Sequence, residues 1–216
     1  MTARELSFVH VFRPATIDGL PPLLLLHGTG GDETDLSGLG SAVAPGAALL
    51  SPRGQALEGG MPRFFRRLAE GVFDEDDLRR RAADLARFVG EAREAYSLAA
   101  PIALGFSNGA NIAAATRLLH PDAPGGVALL RGMTPLTSEP AGPVTAMPSL
   151  LLSGDLDPIV PAENAARLAA MLDRAGGPVE HRVLPAGHAL TRADVDLATE
   201  WFGRQAAARL VRAAAL

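Results

Sequence analysis

The stretch from Pro101 to Ala115 constrains this chain most. It reads as a short apolar strand, Ile102 to Leu104, then a tight turn, then an Ala-rich helix to about Leu119. The turn, Gly105-Phe106-Ser107-Asn108-Gly109, fits G-x-S-x-G. A chain that reverses from strand to helix so quickly must strain its backbone at the serine. The two glycines leave room where side chains would collide. Such a turn lifts the Ser107 hydroxyl to the open end of a sheet. The N–H of Asn108 then opens the helix and faces any oxyanion formed on a group bonded to Ser107. On this reading Asn108 acts through its backbone, and alanine should be tolerated there. The alternative is a plain strand–helix turn with an incidental serine, so the partners of Ser107 decide.

The flanking elements supply the setting. Residues Leu6 to Arg13 alternate well enough for an edge strand. Leu23 to Leu26 is a continuous apolar run, suited to a strand covered on both faces. Further strands are expected at Ala47–Ser51, Val127–Leu130, Ser149–Ser153 and Pro178–Leu184. Helices are expected at Asp77–Tyr96, Ala162–Arg174 and from Arg192 to about Ala208. This alternation predicts an α/β fold with a mostly parallel central sheet and helices on both faces. At 216 residues it predicts one domain without room for a large inserted cap.

Loops at strand ends are where such a sheet places its ligand, and three of them carry chemistry. Ser107 follows one strand, Asp155 and Asp157 follow a later one, and His188 follows the last. A serine hydroxyl is a poor nucleophile until an imidazole takes its proton. The imidazole in turn needs a carboxylate to fix its tautomer and stabilise its cation. His188 sits in a loop after Gly187, free to reach inward. His10 and His181 fall inside expected strands, His120 follows a helix end, and His27 is better placed to support a glycine loop. Asp157 is preferred as the carboxylate, and Asp155 is the alternative. The loop His27-Gly28-Thr29-Gly30-Gly31-Asp32 lacks the Gly-Lys-Ser/Thr ending of a phosphate loop. Thr29 is the candidate for a second oxyanion donor. Phe64, Phe65, Phe73 and Met133 lie in stretches without clear period, Gln55–Asp76 and Met133–Pro148. They are candidates for a substrate pocket, with ordinary core plugs as the alternative.

Composition removes competing chemistries. The chain has no cysteine, hence no disulfide, thiol nucleophile or cysteine metal site. Every Lys/Arg position is arginine, which excludes lysine-based mechanisms. A net charge of -4 gives no general attraction to nucleic acid or anionic membrane. No clustered ligand spacing suggests a metal, and no cofactor is implied. The first residues lack the apolar stretch of a signal peptide, and the longest apolar run, Leu20 to Leu26, is too short for a membrane span. A cytoplasmic location is the expectation. Monomer and homodimer are both compatible with the sequence.

The order Ser, Asp, His, together with several short motifs, resembles the phospholipase/carboxylesterase family of α/β-hydrolases. The matching pieces are Leu26-His-Gly-Thr-Gly-Gly-Asp32, Ser51-Pro-Arg-Gly54, Gly105-Phe-Ser-Asn-Gly-Ala110, Gly154-Asp-Leu-Asp-Pro-Ile-Val-Pro161 and Ala186-Gly-His188. The resemblance implies a serine carboxylesterase acting on a small-molecule ester, with Ser107 as nucleophile, His188 as base and Asp157 as acid, and with Thr29 and Asn108 as oxyanion donors. Thioesterases acting on lipidated proteins resemble Leu-Gly-Asp after the first His-Gly and carry Gln after the serine, where this chain has Thr29 and Asn108. The segment Arg63 to Phe73 looks closer to a bacterial branch associated with aromatic-compound dioxygenase pathways.

Overall fold

Four consecutive leucines, Leu23–Leu26, report the architecture. All four are buried, and alternate ones enter different cores. Leu24 and Leu26 join one hydrophobic cluster, while Leu23 and Leu25 join the other. Only a strand sandwiched between two helical layers needs this, because successive side chains point to opposite faces.

The computed structural model describes residues 6–138 and 146–213. In chain order the elements are β1 (His10–Arg13), β2 (Leu23–Leu26), α1 (Ser37–Val43), β3 (Leu49–Pro52), β4 (Ala56–Glu58), β5 (Met61–Arg63), β6 (Arg67–Ala69), β7 (Val72–Phe73), α2 (Glu75–Tyr96), β8 (Ile102–Phe106), α3 (Asn108–Leu119), β9 (Gly126–Leu130), β10 (Ser149–Gly154), α4 (Ala162–Arg174), β11 (Val179–Leu184) and α5 (Arg192–Ala213). Seven strands form one sheet in the order β1-β3-β2-β8-β9-β10-β11. Only β1 runs antiparallel, at the edge against β3. The remaining pairings are parallel. Apolar residues of α2, α3 and α4 fill the cluster on one face. On the other face α5 contributes Ala198, Trp201, Phe202 and Ala206, beside Val43 of α1. The fold is thus α/β, mostly parallel, and has no large cap among the described residues.

Strand order creates the site. From β2 the chain moves outward to β3, and from β8 it moves the opposite way to β9. The loops after β2 and β8 therefore open side by side at the sheet's carboxyl end, with Leu26 in register with Gly105. This reversal is where open α/β sheets bind ligands.

Some expectations shift. The edge strand begins at His10, not Leu6. Gln55–Asp76 is not irregular but forms two small antiparallel hairpins, β4–β5 and β6–β7. Strands of three residues or fewer are too short to write a period in sequence. Helix α1 went unread because its seven residues, SGLGSAV, have weak helix propensity. Its Gly40 lets the helix press on β2, where a Cβ would come within 2.7 Å of Leu25 Cδ1. Residues 139–145 of the Met133–Pro148 segment lie outside the described residues.

Candidate active site

Ser107 sits at the hinge between β8 and α3 with φ 52° and ψ -113°, a conformation L-residues rarely adopt. Such strain costs about 1–3 kcal/mol and persists only where surroundings enforce it. Here they do. The Ser107 N–H donates to Leu130 O at 2.9 Å, and Ser107 O accepts from the Asn111 N–H at 3.0 Å. A Cβ on Gly109 would collide with the Leu26 carbonyl, and one on Gly105 with the Gly109 carbonyl. These two glycines let the helix start against the strand ends.

The acid loop follows β10. Gly154 lies so close to the Ala186 carbonyl that a side chain would not fit. This contact joins the Asp157 loop to the His188 loop. Asp157 Oδ1 accepts from the N–H groups of Ile159 (2.8 Å) and Val160 (3.1 Å). Its Oδ2 lies 2.8 Å from His188 Nδ1, and the carboxylate is fully buried. Asp155 is exposed and makes no such contact among the described residues. His188 Nε2 lies 3.0 Å from Ser107 Oγ, and its ring packs 5.4 Å from that of Phe106. With Asp157 ionised, Nδ1 carries the proton and donates it to Oδ2. That leaves Nε2 free to accept from the Ser107 hydroxyl.

The loop after β2 is built on His27. Its Nε2 accepts from the Gly54 N–H at 2.9 Å, so its proton sits on Nδ1 and is donated to Gly28 O at 2.7 Å. Burial holds this imidazole below the ordinary histidine value, against smaller opposing effects of the Gly28 hydrogen bond and nearby carboxylates. Thr29 lies exposed at the loop tip. The buried Arg63 guanidinium donates to Thr29 Oγ1 at 3.0 Å and pairs with Glu58 at 2.9 Å. The Gly30 N–H donates to Pro62 O at 2.9 Å. Thus the β4–β5 hairpin holds the glycine loop in place. Asn108 opens α3, where helix geometry leaves the first N–H groups without an intrahelical acceptor.

The Asn108 side chain has a task that sequence reasoning missed. It is buried, and its Oδ1 accepts from the Phe64 N–H at 2.8 Å. One turn on, Asn111 Oδ1 accepts from the Met133 N–H at 2.7 Å. Two asparagines at helical spacing therefore pin two loops beside Ser107. The spacing was visible, but the N–H donors they accept from lie 44 and 22 residues away. Truncating Asn108 to alanine leaves the buried Phe64 N–H without its acceptor. The expected cost is about 1–3 kcal/mol in a urea melt, together with a moderate fall in activity. An unchanged melt would show that water replaces the amide.

The candidate pocket residues divide. Phe64 and Phe65 are 2% and 0% exposed and belong to the core cluster with Leu78 and Phe88. They are corrected from pocket wall to core, because each is almost wholly removed from solvent and packs among core side chains. Phe64 packs on His27, and Phe65 meets Phe73 edge-on at 5.1 Å. Phe65→Ala should therefore lower stability by about 3–5 kcal/mol, read as a loss in melting temperature with relative rates across an acyl series unchanged. A stable variant with altered preference would return Phe65 to the pocket. Phe73 is half-buried and lines a cleft of about 560 Å³ with Thr134, Leu136, Asn164 and Met171. Met133, mostly buried, immediately precedes that wall. Ser107, Asp157 and His188 are not among the cleft's lining residues.

His120 and His181, like His27, are held below the ordinary histidine value by burial. Their neutral forms are favoured in the fold, so unfolding takes up protons below about pH 6.5. The stability they contribute is present above that pH and lost as pH falls through it. Melting temperature should drop between about pH 8 and pH 5, and less steeply in His27→Gln. A flat profile would mean that these imidazoles titrate alike in both states.

No helix among the described residues is long and apolar enough to cross a membrane. No group of three or more His, Asp or Glu side chains among them could hold a metal ion.

Comparison with known proteins identifies the family and the fold. The phospholipase/carboxylesterase family profile matches residues 21–202. The chain is 40% identical over 195 residues to MhqD of Bacillus subtilis (strain 168), covering 89% of this chain and 96% of that one. The crystal structure of a Bacillus cereus carboxylesterase superposes with a TM-score of 0.88 at 40% identity, over 92% of this chain and 94% of that one. A Mesorhizobium loti carboxylesterase superposes with a TM-score of 0.81 at 32% identity, over 85% and 88% of the two chains. The chain belongs to the phospholipase/carboxylesterase family of α/β-hydrolases and is a carboxylic ester hydrolase.

Proposed function

We propose that the protein hydrolyses short- to medium-chain carboxylic esters through Ser107, His188 and Asp157. The observation that carries this reading is the continuous hydrogen-bonded chain from the buried Asp157 through His188 to Ser107 Oγ. In the first half-reaction Ser107 Oγ attacks the ester carbonyl while its proton passes to His188 Nε2. Asp157 stabilises the imidazolium, and the N–H groups of Thr29 and Asn108 receive the oxyanion. The tetrahedral species collapses, His188 returns the proton to the departing alkoxide, and an acyl-serine remains. Water then attacks with His188 again as base, and the carboxylic acid leaves. The atoms balance with ester and water alone, so no cofactor is involved.

The chain-length preference is assigned to Phe73, which lines the cleft beside α4, and to Met133, which immediately precedes that wall. The purified protein, given p-nitrophenyl esters of increasing acyl length, should be fastest at short to medium chains. Phe73→Ala should move that optimum. Preference for long-chain acyl thioesters or lysophospholipids over simple esters would replace this substrate class with the other activities of the fold.

A further inference from the structure

Arg131 stands at the end of β9 with φ 57°, fully buried, beside a loop that carries the proposed base. A buried arginine in left-handed backbone is unusual on two counts. Its donors account for it. Nε donates to Gly187 O at 2.8 Å, and Nη2 donates to Ala189 O at 3.3 Å. Nη1 donates to Leu152 O at 3.3 Å. Both terminal nitrogens fork onto Asp194, at 2.7 and 2.9 Å. All five guanidinium N–H groups are thus used, the full capacity of the side chain. Asp194, equally buried, also accepts from the Thr191 N–H at 2.7 Å and its hydroxyl at 2.8 Å.

We infer that Arg131 is a positioning residue for His188. Two of the three carbonyls it grips are those immediately before and after His188 in the chain. One rigid, planar cation therefore fixes the backbone on both sides of the imidazole. Asp194 neutralises that cation and ties the assembly to the first turn of α5. Asp157 sets the rotation of the ring, while Arg131 sets where the ring is hung. The left-handed backbone turns the Arg131 side chain off the strand and under the loop. A buried ion pair is weak as a source of stability, because apolar replacements are often as stable. The direction of its donors fits placement of the loop instead.

This inference rests on His188 being the base of the proposed esterase. Two variants separate placement from folding. Arg131→Lys keeps a cation for Asp194 but loses the planar fork, so it cannot hold both carbonyls. The double variant Arg131→Met, Asp194→Leu removes both charges together, which avoids leaving one buried and unpaired. Each folded variant should lose about 10–100-fold in kcat, with KM little changed. The low-field proton resonance of the His188 Nδ1–H bridge should broaden or vanish. A folded variant that keeps wild-type kcat and this resonance overturns the inference. A variant in which only KM rises overturns it too. On the unmutated protein, an Arg131 Nε–H proton exchanging at the solvent rate overturns the clasp without any substitution. Fluorophosphonate keeps the two ideas apart. A wild type that does not react sinks the esterase reading itself. A reactive, active wild type with unaffected Arg131 variants sinks this inference alone.

Discussion

Ser107→Ala should abolish ester hydrolysis and leave the fold intact. The hydroxyl is the only part of the side chain that the proposed reaction uses. Removing a triad nucleophile typically costs about 10⁴–10⁶ in rate. Stability should hardly change. The positive φ at position 107 is imposed by the Leu130 and Asn111 contacts of the backbone, which alanine retains. The lost hydrogen bond to His188 is only partly buried. The check is kcat/KM on a p-nitrophenyl ester, beside a thermal melt. Residual activity above a few per cent in a folded variant would mean that another group attacks the ester.

Asp157→Asn should be nearly as damaging, and Asp155→Asn should be mild. Asp157 Oδ1 is held by two backbone N–H groups, so an asparagine would keep its carbonyl oxygen there. Its amide nitrogen would then face His188 Nδ1. The imidazole would have to accept at Nδ1 and carry its proton on Nε2, the wrong tautomer for receiving one from Ser107. That exchange costs about 10⁴ in a well-studied protease. Asp155 is exposed, and its neutralisation removes only a surface charge. Rates of both variants on one ester, under conditions where both are folded, give the ranking. The opposite order would move the acid to Asp155.

The features most legible in the sequence were those written in local pattern. The buried strand Leu23–Leu26, the helix Ala162–Arg174 and the elbow around Ser107 each announce themselves within a few residues. The meeting of Ser107, Asp157 and His188 was readable because each follows a strand, and parallel strands bring such loops to one edge. What escaped has a common cause. The β4–β5 and β6–β7 hairpins are too short for periodicity. Asn108, Asn111 and Arg131 act on backbone groups of distant loops, and a backbone carbonyl or N–H leaves no mark in sequence. Phe64 and Phe65 were misread for the same reason. They lie in the link between the two hairpins, where facing core or cleft depends on which neighbour holds the backbone. For Phe64 that neighbour is Asn108.

The central claim is that Ser107 is a nucleophile activated by His188 and Asp157. Reaction of the purified protein with a fluorophosphonate, followed by peptide mass mapping, tests it most directly. The account predicts one label per chain, carried by the peptide containing Ser107, absent in Ser107→Ala and formed far more slowly in His188→Ala. A label on any other residue, or labelling of wild type no faster than of His188→Ala, would contradict it.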